Sequence, residues 1–317
     1  MISDYDAYYC LQKILASDKR KKPIALITGA GISYGFTPLW DDLIDGILND
    51  CIELHLGRHS CNYQNIDDIK TWLKQLSVYD QAHFIKNVLK DQYLYLLHSH
   101  LYGIFSEAKF EDDTVLLSVA KLCCNPRIKA VITYNWDNLL EEQLDHLAQT
   151  SALSTNYRSF HSIHGKHLIP TEDGQLPIYH VHGYIPRVSP YLSSYESDIV
   201  FSLEEYNLFS ANLHSWQSIA QLYYLQNYIC LFIGTSLTDM NMLRLLSLTN
   251  STSKNSDIFF INSIQSVAKN KHPDANDEAK TSIYKDYLGS MNVGMICPNA
   301  PEQIKELINT LADILVK

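Results

Sequence analysis

Four short segments of the sequence carry residue types whose spacing could do chemistry. Gly29-Ala30-Gly31-Ile32-Ser33 sets two glycines before a hydroxyl, the kind of turn where a backbone can approach a ligand closely and aim amides at a pyrophosphate. Thr133-Tyr134-Asn135-Trp136-Asp137 offers an amide, able to donate and accept, and a carboxylate two residues on. His182-Gly183 offers a base that titrates near neutrality, and Gly234-Thr235-Ser236-Leu237 repeats the pairing of glycine with hydroxyls. Each segment also has a plain structural reading. A G-x-G turn needs no ligand, and this one lacks the third glycine and acidic residue of a dinucleotide fingerprint. Asn135 suits a turn, Asp137 and Asp239 suit helix N-caps, and His182 suits a hydrogen-bonded strand end. His164-Gly165 is a second His-Gly pair. His182 is preferred because Ile178-Tyr179-His180-Val181 before it is strand-like. His161, His164 and His167 are spaced by three, but no carboxylate or cysteine joins them, so a metal site is not expected.

The elements that must position these residues follow from hydrophobic pattern. PIALIT (23–28), KAVIT (129–133), IYHVHG (178–183), YICLFIG (228–234), DIFFIN (257–262) and VGMIC (293–297) are short apolar runs of the kind that form buried parallel strands. Helical periodicity marks 5–16, 137–147, 203–226, 238–248 and the C-terminal PEQIKELINTLADIL, where Pro301 suits the first helical position. The stretch from Leu39 to about Cys124 is helical in period and poor in Gly and Pro, so it reads as a helical insertion after the first strand. The segment 149–177, of mixed polarity, reads as loop with a short hairpin, and 266–277 as a polar linker. Strands alternating with helices give an α/β fold, a Rossmann-like doubly wound, mostly parallel sheet. The expected organisation is a single domain over 1–317 with the insertion at 39–125. Each of the four segments then falls at the C-terminal end of a strand, where such sheets bind ligands.

Composition bounds the function. With 46% apolar and 19% charged residues the 317-residue chain is globular in type. Its formal charge of −10 opposes direct nucleic-acid binding, which needs a basic surface to displace counterions from phosphates. The N-terminal MISDYDAYY does not resemble a secretory signal, no uncharged run is long enough to span a bilayer, and the seven cysteines form no C-x-x-C pair. A cytoplasmic location with reduced thiols is the expectation, with no membrane association.

The order GAGIS (29–33), TYNWD (133–137), HG (182–183), GTSL (234–237) and a strand ending in Asn262 resembles the sirtuin family across residues 23–297. The resemblance implies NAD as substrate. It places Gly29, Ala30, Gly31 and Ser33 at the pyrophosphate, Gly234, Thr235 and Ser236 at phosphate and ribose, and Asn262 at the adenosine ribose. Asn135 would hold the nicotinamide ribose and position a water, Asp137 would seat the carboxamide, and His182 would be the general base. Departure of nicotinamide builds oxocarbenium character at C1′, which calls for orientation and charge stabilisation more than for a strong nucleophile. The chain departs from protein-deacylating sirtuins in having no zinc ribbon of two C-x-x-C pairs, and its glycine turn runs into YGFTPLWDDL. That stretch resembles sirtuin-like effectors of bacterial antiphage defence, in which water is the acceptor. The implied activity is an NAD glycohydrolase that releases nicotinamide and ADP-ribose and depletes NAD in abortive infection, with no metal cofactor. The alternatives are a protein deacylase or ADP-ribosyltransferase, and a non-catalytic subunit that senses NAD or ADP-ribose. The same resemblance implies a homo-oligomer or a separate activating subunit such as a HerA-like ATPase, a short Argonaute or a nucleotide-processing protein. For a 2′-phosphate, the arginines to place are Arg127, Arg158 and Arg244.

Overall fold

Every described strand of this molecule runs in the same direction, which brings all their C-terminal ends to one edge of the sheet. The computed structural model describes Tyr9, Leu15 and residues 22–59, 66–103, 110, 113–150, 158–165, 174–188, 199–212, 214–250, 257–263 and 275–316. Seven strands are found among them: β1 (Ile24–Thr28), β2 (Ile128–Thr133), β3 (Phe160–Ile163), β4 (Leu176–His180), β5 (Ile229–Ile233), β6 (Ile258–Ile261) and β7 (Val293–Ile296). They pair in the order β3-β4-β2-β1-β5-β6-β7, and each pairing is parallel. From the central β1 the chain goes to β2 on one side and later to β5 on the other. Their divergence opens a crevice beyond the strands' C-terminal ends, the place where doubly wound sheets bind ligands.

Residue alternation along the strands sorts the two faces. Ile24, Leu26, Val131, Ile178, Leu231, Ile233 and Phe259 point to one side, against helices α5 (Val115–Cys123), α6 (Leu139–Thr150) and α11 (Pro301–Val316). Ala25, Ile27, Ala130, Ile132, Cys230, Phe232 and Phe260 point to the other, against α8 (Trp216–Asn227), α9 (Met240–Asn250) and α10 (Ala275–Ser290). Burying each such aliphatic side chain contributes about 1.5–3 kcal/mol, which is why the strands read as continuous apolar runs.

Between β1 and β2 stand α1 (Trp40–His59), α2 (Ile66–Leu73), α3 (Val78–Leu89) and α4 (Tyr93–Tyr102), followed by α5. These are the helical insertion expected after the first strand. The first four have a core of their own, including Leu43, Ile47, Ile85 and Leu97, which Trp136, Ile185 and Phe201 enter from the sheet side. The insertion is thereby packed onto the loops that leave β2 and β4.

Four readings of the sequence change. The hairpin expected within 149–177 is instead β3, parallel to β4, and parallel strands are not joined by a hairpin turn. The strand expected over 178–183 is shifted to Leu176–His180, which leaves His182 in a turn beyond it. The helix expected over 203–226 is two, α7 (Leu203–Ala211) and α8, because Asn212 ends the first and Ser215 caps the second by accepting from Ser218 N. Helix α10, unread in the sequence, follows the polar stretch. The helix expected over 5–16, apart from helical Tyr9 and Leu15, and most of the linker 266–277 lie outside the described residues.

Candidate functional site

The glycine turn after β1 and the glycine turn after β5 are built into one another. Gly31 N–H donates to Gly234 O at 2.8 Å and Gly29 N–H to Ile233 O at 3.3 Å. A Cβ on Gly29 would lie 2.8 Å from Gly234 O, one on Gly31 2.8 Å from Gly234 Cα, and one on Gly234 2.5 Å from Ile32 N. Gly234 also has a φ of +68°, which only glycine adopts without strain. The sequence reading assigned these glycines to close approach of a pyrophosphate. The N–H groups of Gly29 and Gly31 are spent on the neighbouring turn, and the absent side chains make room for backbone. Beside this floor, the buried hydroxyls of Thr28 and Thr235 have no hydrogen-bond partner. Asn262, at the end of β6, donates its amide to Thr235 O at 3.2 Å while its own oxygen accepts from Ser263 N. Ser236 is exposed, with its hydroxyl 2.6 Å from that of Thr238, and the buried Leu237 takes a left-handed φ of +51°.

Ser33 is buried, with its hydroxyl turned toward the end of β2. The short 3-10 turn Ala30–Ile32 carries its side chain to the end of β2, where Asn135 Nδ2 donates to Ser33 Oγ at 3.2 Å and Ser33 Oγ donates to Asp137 Oδ1 at 3.1 Å. Asp137 Oδ1 also accepts from Leu139 N, the first amide of α6. The carboxylate thus serves as a helix cap and as the end of a site network at once. Burial pushes Asp137 up to about 6, with the Leu139 amide and the Ser33 hydroxyl pulling the other way. Asn135 N–H donates to Thr133 Oγ1 at 3.1 Å, so this loop is tied at both backbone and side chain.

His182 stands in an aromatic box beyond β4. Its ring meets the edges of Tyr134 at 4.7 Å, Tyr206 at 5.3 Å and Phe209 at 5.9 Å. Its carbonyl accepts from Trp136 Nε1 at 2.9 Å and from Val200 N at 2.8 Å, which fixes the backbone, and Gly183 beside it has a φ of +105°. His182 Nδ1 lies 3.4 Å from Tyr206 OH, which donates to Asp239 Oδ2 at 2.9 Å. Nε2 is buried without a hydrogen-bond partner, 3.7 Å from the same Asp239 oxygen. Burial lowers the His182 pKa and Asp239 only partly restores it, so the ring is neutral at pH 7. Asp239 divides its work: Oδ1 caps α9 through Met242 N at 2.8 Å, and Oδ2 faces Tyr206 and His182.

Several residues that support the site went unread in the sequence. Trp136 bridges to Trp40 of the insertion at 5.0 Å, which places the TPLWDDL stretch against the Asn135 loop. Tyr206 is held by the insertion as well, since Tyr79 meets its ring at 4.6 Å and Lys86 pairs with Glu205, the residue that completes the Ser202 capping box. His180, fully buried, puts Nδ1 3.1 Å from Asn135 O and Nε2 2.7 Å from Glu141 Oε1. The other His-Gly pair lies one strand further out: His164 follows the edge strand β3 and stacks on Tyr184 at 4.5 Å. Arg127 bonds the carbonyls of Leu15 and Lys22, Arg158 those of Ile128, Gly174 and Gln175, both at the far end of the strands, and Arg244 bonds Ser210 O. Among the described residues no three His, Cys, Asp or Glu side chains group as metal ligands, and His167 lies outside them. Nor is any helix among them long and apolar enough to cross a membrane.

One crevice edge therefore collects residues from five adjacent strand ends: His182 after β4, Asn135 and Asp137 after β2, Gly29 to Ser33 after β1, Gly234 to Ser236 after β5, and Asn262 after β6. A family model described as a SIR2-like domain matches residues 129–287, from the start of β2 into α10. The match takes in all of these positions except the first glycine turn. Comparison with curated proteins returns no match. Since the matched stretch is just over half of the 317 residues, the chain belongs to the SIR2-like domain family.

Proposed function

We propose that this protein binds NAD along the crevice and cleaves the bond between nicotinamide and ribose, with water as acceptor, giving nicotinamide and ADP-ribose. The observation that carries the reading is His182: a buried neutral imidazole whose Nε2 lacks a hydrogen-bond partner, at the same sheet edge as the Ser33–Asn135–Asp137 network. Because the Tyr206 hydroxyl donates to Asp239, His182 Nδ1 keeps its proton and offers it to the Tyr206 oxygen, which leaves the lone pair on Nε2. A proton taken up there is stabilised by Asp239 at 3.7 Å. Asn135, with its amide donating to Ser33, keeps its carbonyl oxygen to orient water or a ribose hydroxyl. The buried hydroxyls of Thr28 and Thr235 and the exposed Ser236 fit the phosphates and ribose, and Asn262 fits the second ribose. Binding and positioning supply most of the acceleration in such a site, and a general base contributes roughly 10²–10⁴.

Water is favoured as acceptor because the sequence has no C-x-x-C pairs and follows its glycine turn with TPLWDDL, whose Trp40 packs on Trp136. The same stretch supports a role as an NAD-depleting effector of antiphage defence in the cytoplasm, switched by oligomerisation or by a separate activating subunit. Membership of the SIR2-like family accommodates a second reading equally well: NAD bound for deacylation or ADP-ribosyl transfer, or bound and sensed without cleavage. Chromatography of NAD incubated with wild-type protein and with Asn135→Ala, with and without an acyl-lysine peptide and lysate of phage-infected cells, separates them. Nicotinamide and ADP-ribose formed by wild type alone support hydrolysis. Turnover that requires the peptide supports deacylation, and tight binding of NAD with no turnover in any condition supports sensing.

A further inference from the structure

The proposed reaction leaves unused the most deeply buried pair of ionisable groups near the crevice. His180 is 1% exposed and Glu141 4%. Both ring nitrogens of His180 face acceptors, Glu141 Oε1 at 2.7 Å and the backbone carbonyl of Asn135 at 3.1 Å, and Ser162 Oγ donates to the same Glu141 oxygen at 2.8 Å. The ring edge of Tyr184 closes the box at 4.6 Å, with His164 stacked behind it. A neutral imidazole has one N–H and would leave one of the two acceptors facing a lone pair, so the geometry calls for the imidazolium, which donates twice. Burial alone would push the His180 pKa down and the Glu141 pKa up. The charge and hydrogen bond that each supplies to the other reverse both shifts. A buried ion pair is seldom the cheapest way to fill a core, since apolar residues of similar volume often serve stability as well or better. What this one does is hold a catalytic loop. Asn135 is tied by Thr133 at its amide and by Ser33 at its side chain, and His180 is the group from the next strand that ties its carbonyl.

We propose that His180, backed by Glu141 and Ser162, is a positioning residue that sets the backbone of Asn135 and through it the orientation of the Asn135 amide toward the reacting ribose. This deepens the reading given above and rests on Asn135 acting on bound NAD. Two substitutions divide the ring's functions: His180→Gln carries an amide to the place of Nε2 and keeps Glu141 company, whereas His180→Asn carries it to the place of Nδ1 and keeps the contact with Asn135. Steady-state NAD cleavage, NAD binding by calorimetry and the unfolding midpoint are measured for both, in the wild-type and Asn135→Ala backgrounds. The expected result is a loss in kcat of about tenfold or more for His180→Gln, with KM and NAD affinity little changed. His180→Asn recovers most of that loss, and His180→Gln costs nothing further once Asn135 is alanine. Equal losses in both variants that track the unfolding midpoint, or a His180→Gln loss that persists in full without the Asn135 side chain, overturn the proposal. If wild type cleaves no NAD, the proposed function fails on its own. The positioning role is then read from the NMR signals of the Asn135 side-chain amide, which shift in His180→Gln and return in His180→Asn; signals unmoved by His180→Gln overturn it.

Discussion

His180 and His182 are two residues apart, come from the same strand end and are almost equally buried, yet they are opposite in chemical state. His180 leaves β4 toward α6, where Glu141 and the carbonyl of Asn135 take both of its ring nitrogens, and its pKa is raised. His182 lies past the strand, where the chain has turned toward α7 and α9; its neighbours are aromatic edges and its pKa is lowered. Burial acts on both in the same direction, so burial does not decide charge here. The partner within hydrogen-bond reach does: 2.7 Å to Glu141 for one, 3.7 Å to Asp239 for the other. The charged histidine holds a backbone still, and the neutral one keeps a lone pair.

The sharpest way to break this contrast is to remove the neutral ring. His182→Ala is expected to cut NAD turnover by roughly 10²–10⁴, equivalent to about 3–5 kcal/mol of transition-state stabilisation, while the cavity it leaves lowers the thermal midpoint without unfolding the protein at the assay temperature. A fall in stability that accounts for the lost rate would remove His182 from the chemistry. Glu141→Ala should do the reverse, since it strands a buried imidazolium: a loss of about 3–5 kcal/mol in urea unfolding at pH 7, far beyond what an exposed carboxylate would cost. A change under 1 kcal/mol would mean that the pair is not charged.

Asp137 is a fourth buried ionisable group of the site. Its carboxyl titrates higher in the fold, about 6 against 3.8, so the native state binds the proton more tightly. The stability this provides is full below pH 3.8 and is lost as pH rises through 6. Asp137→Asn removes that loss and can still accept from Leu139 N and Ser33. Urea titrations at pH 5 and 7.5 should show the variant gaining on wild type as pH rises, by about 1.4 kcal/mol of the roughly 3 kcal/mol that the full shift is worth. A gap that does not vary with pH contradicts the raised value. The smallest expected effect is that of Tyr206→Phe, which takes away one hydroxyl between His182 and Asp239. Turnover should fall by about two- to tenfold, the worth of one hydrogen bond, and an unchanged rate would place His182 Nδ1 beyond Tyr206's influence.

The sheet was legible in the sequence wherever a strand is buried on both faces, because there nothing but an apolar run fits: IALIT, ICLFI and IFFI are buried at every position. It was illegible at the edge. In β3, Phe160, His161 and Ser162 are only partly buried, and the segment has no apolar run to notice. Helix α10 hid for a related reason, as Ile283 and Tyr287 are exposed and Leu288 is its fully buried large apolar side chain. At the site, the short motifs pointed to the right strand ends, but what a motif residue touches depends on distant partners. Glu141 meets His180 across 39 residues and Tyr206 meets Asp239 across 33, separations that no local pattern reports. Ser33 is placed at the pyrophosphate by the family resemblance alone. Its hydroxyl links Asn135 and Asp137, a contact no local pattern reports.

The interlocked glycines after β1 and β5 also govern when a binding site can exist. Gly29 and Gly31 emerge early in synthesis, whereas Gly234 follows only after the insertion, α6 and five of the seven described strands have been made. Contacts this far apart in sequence form late, because the loop between them must close before they reward it. A chain cut short before β5 therefore carries the most recognisable motif of the protein but only half of the floor. Nucleotide binding should appear all at once, with completion of the sheet, and a nascent or truncated product would be inert toward the dinucleotide pool.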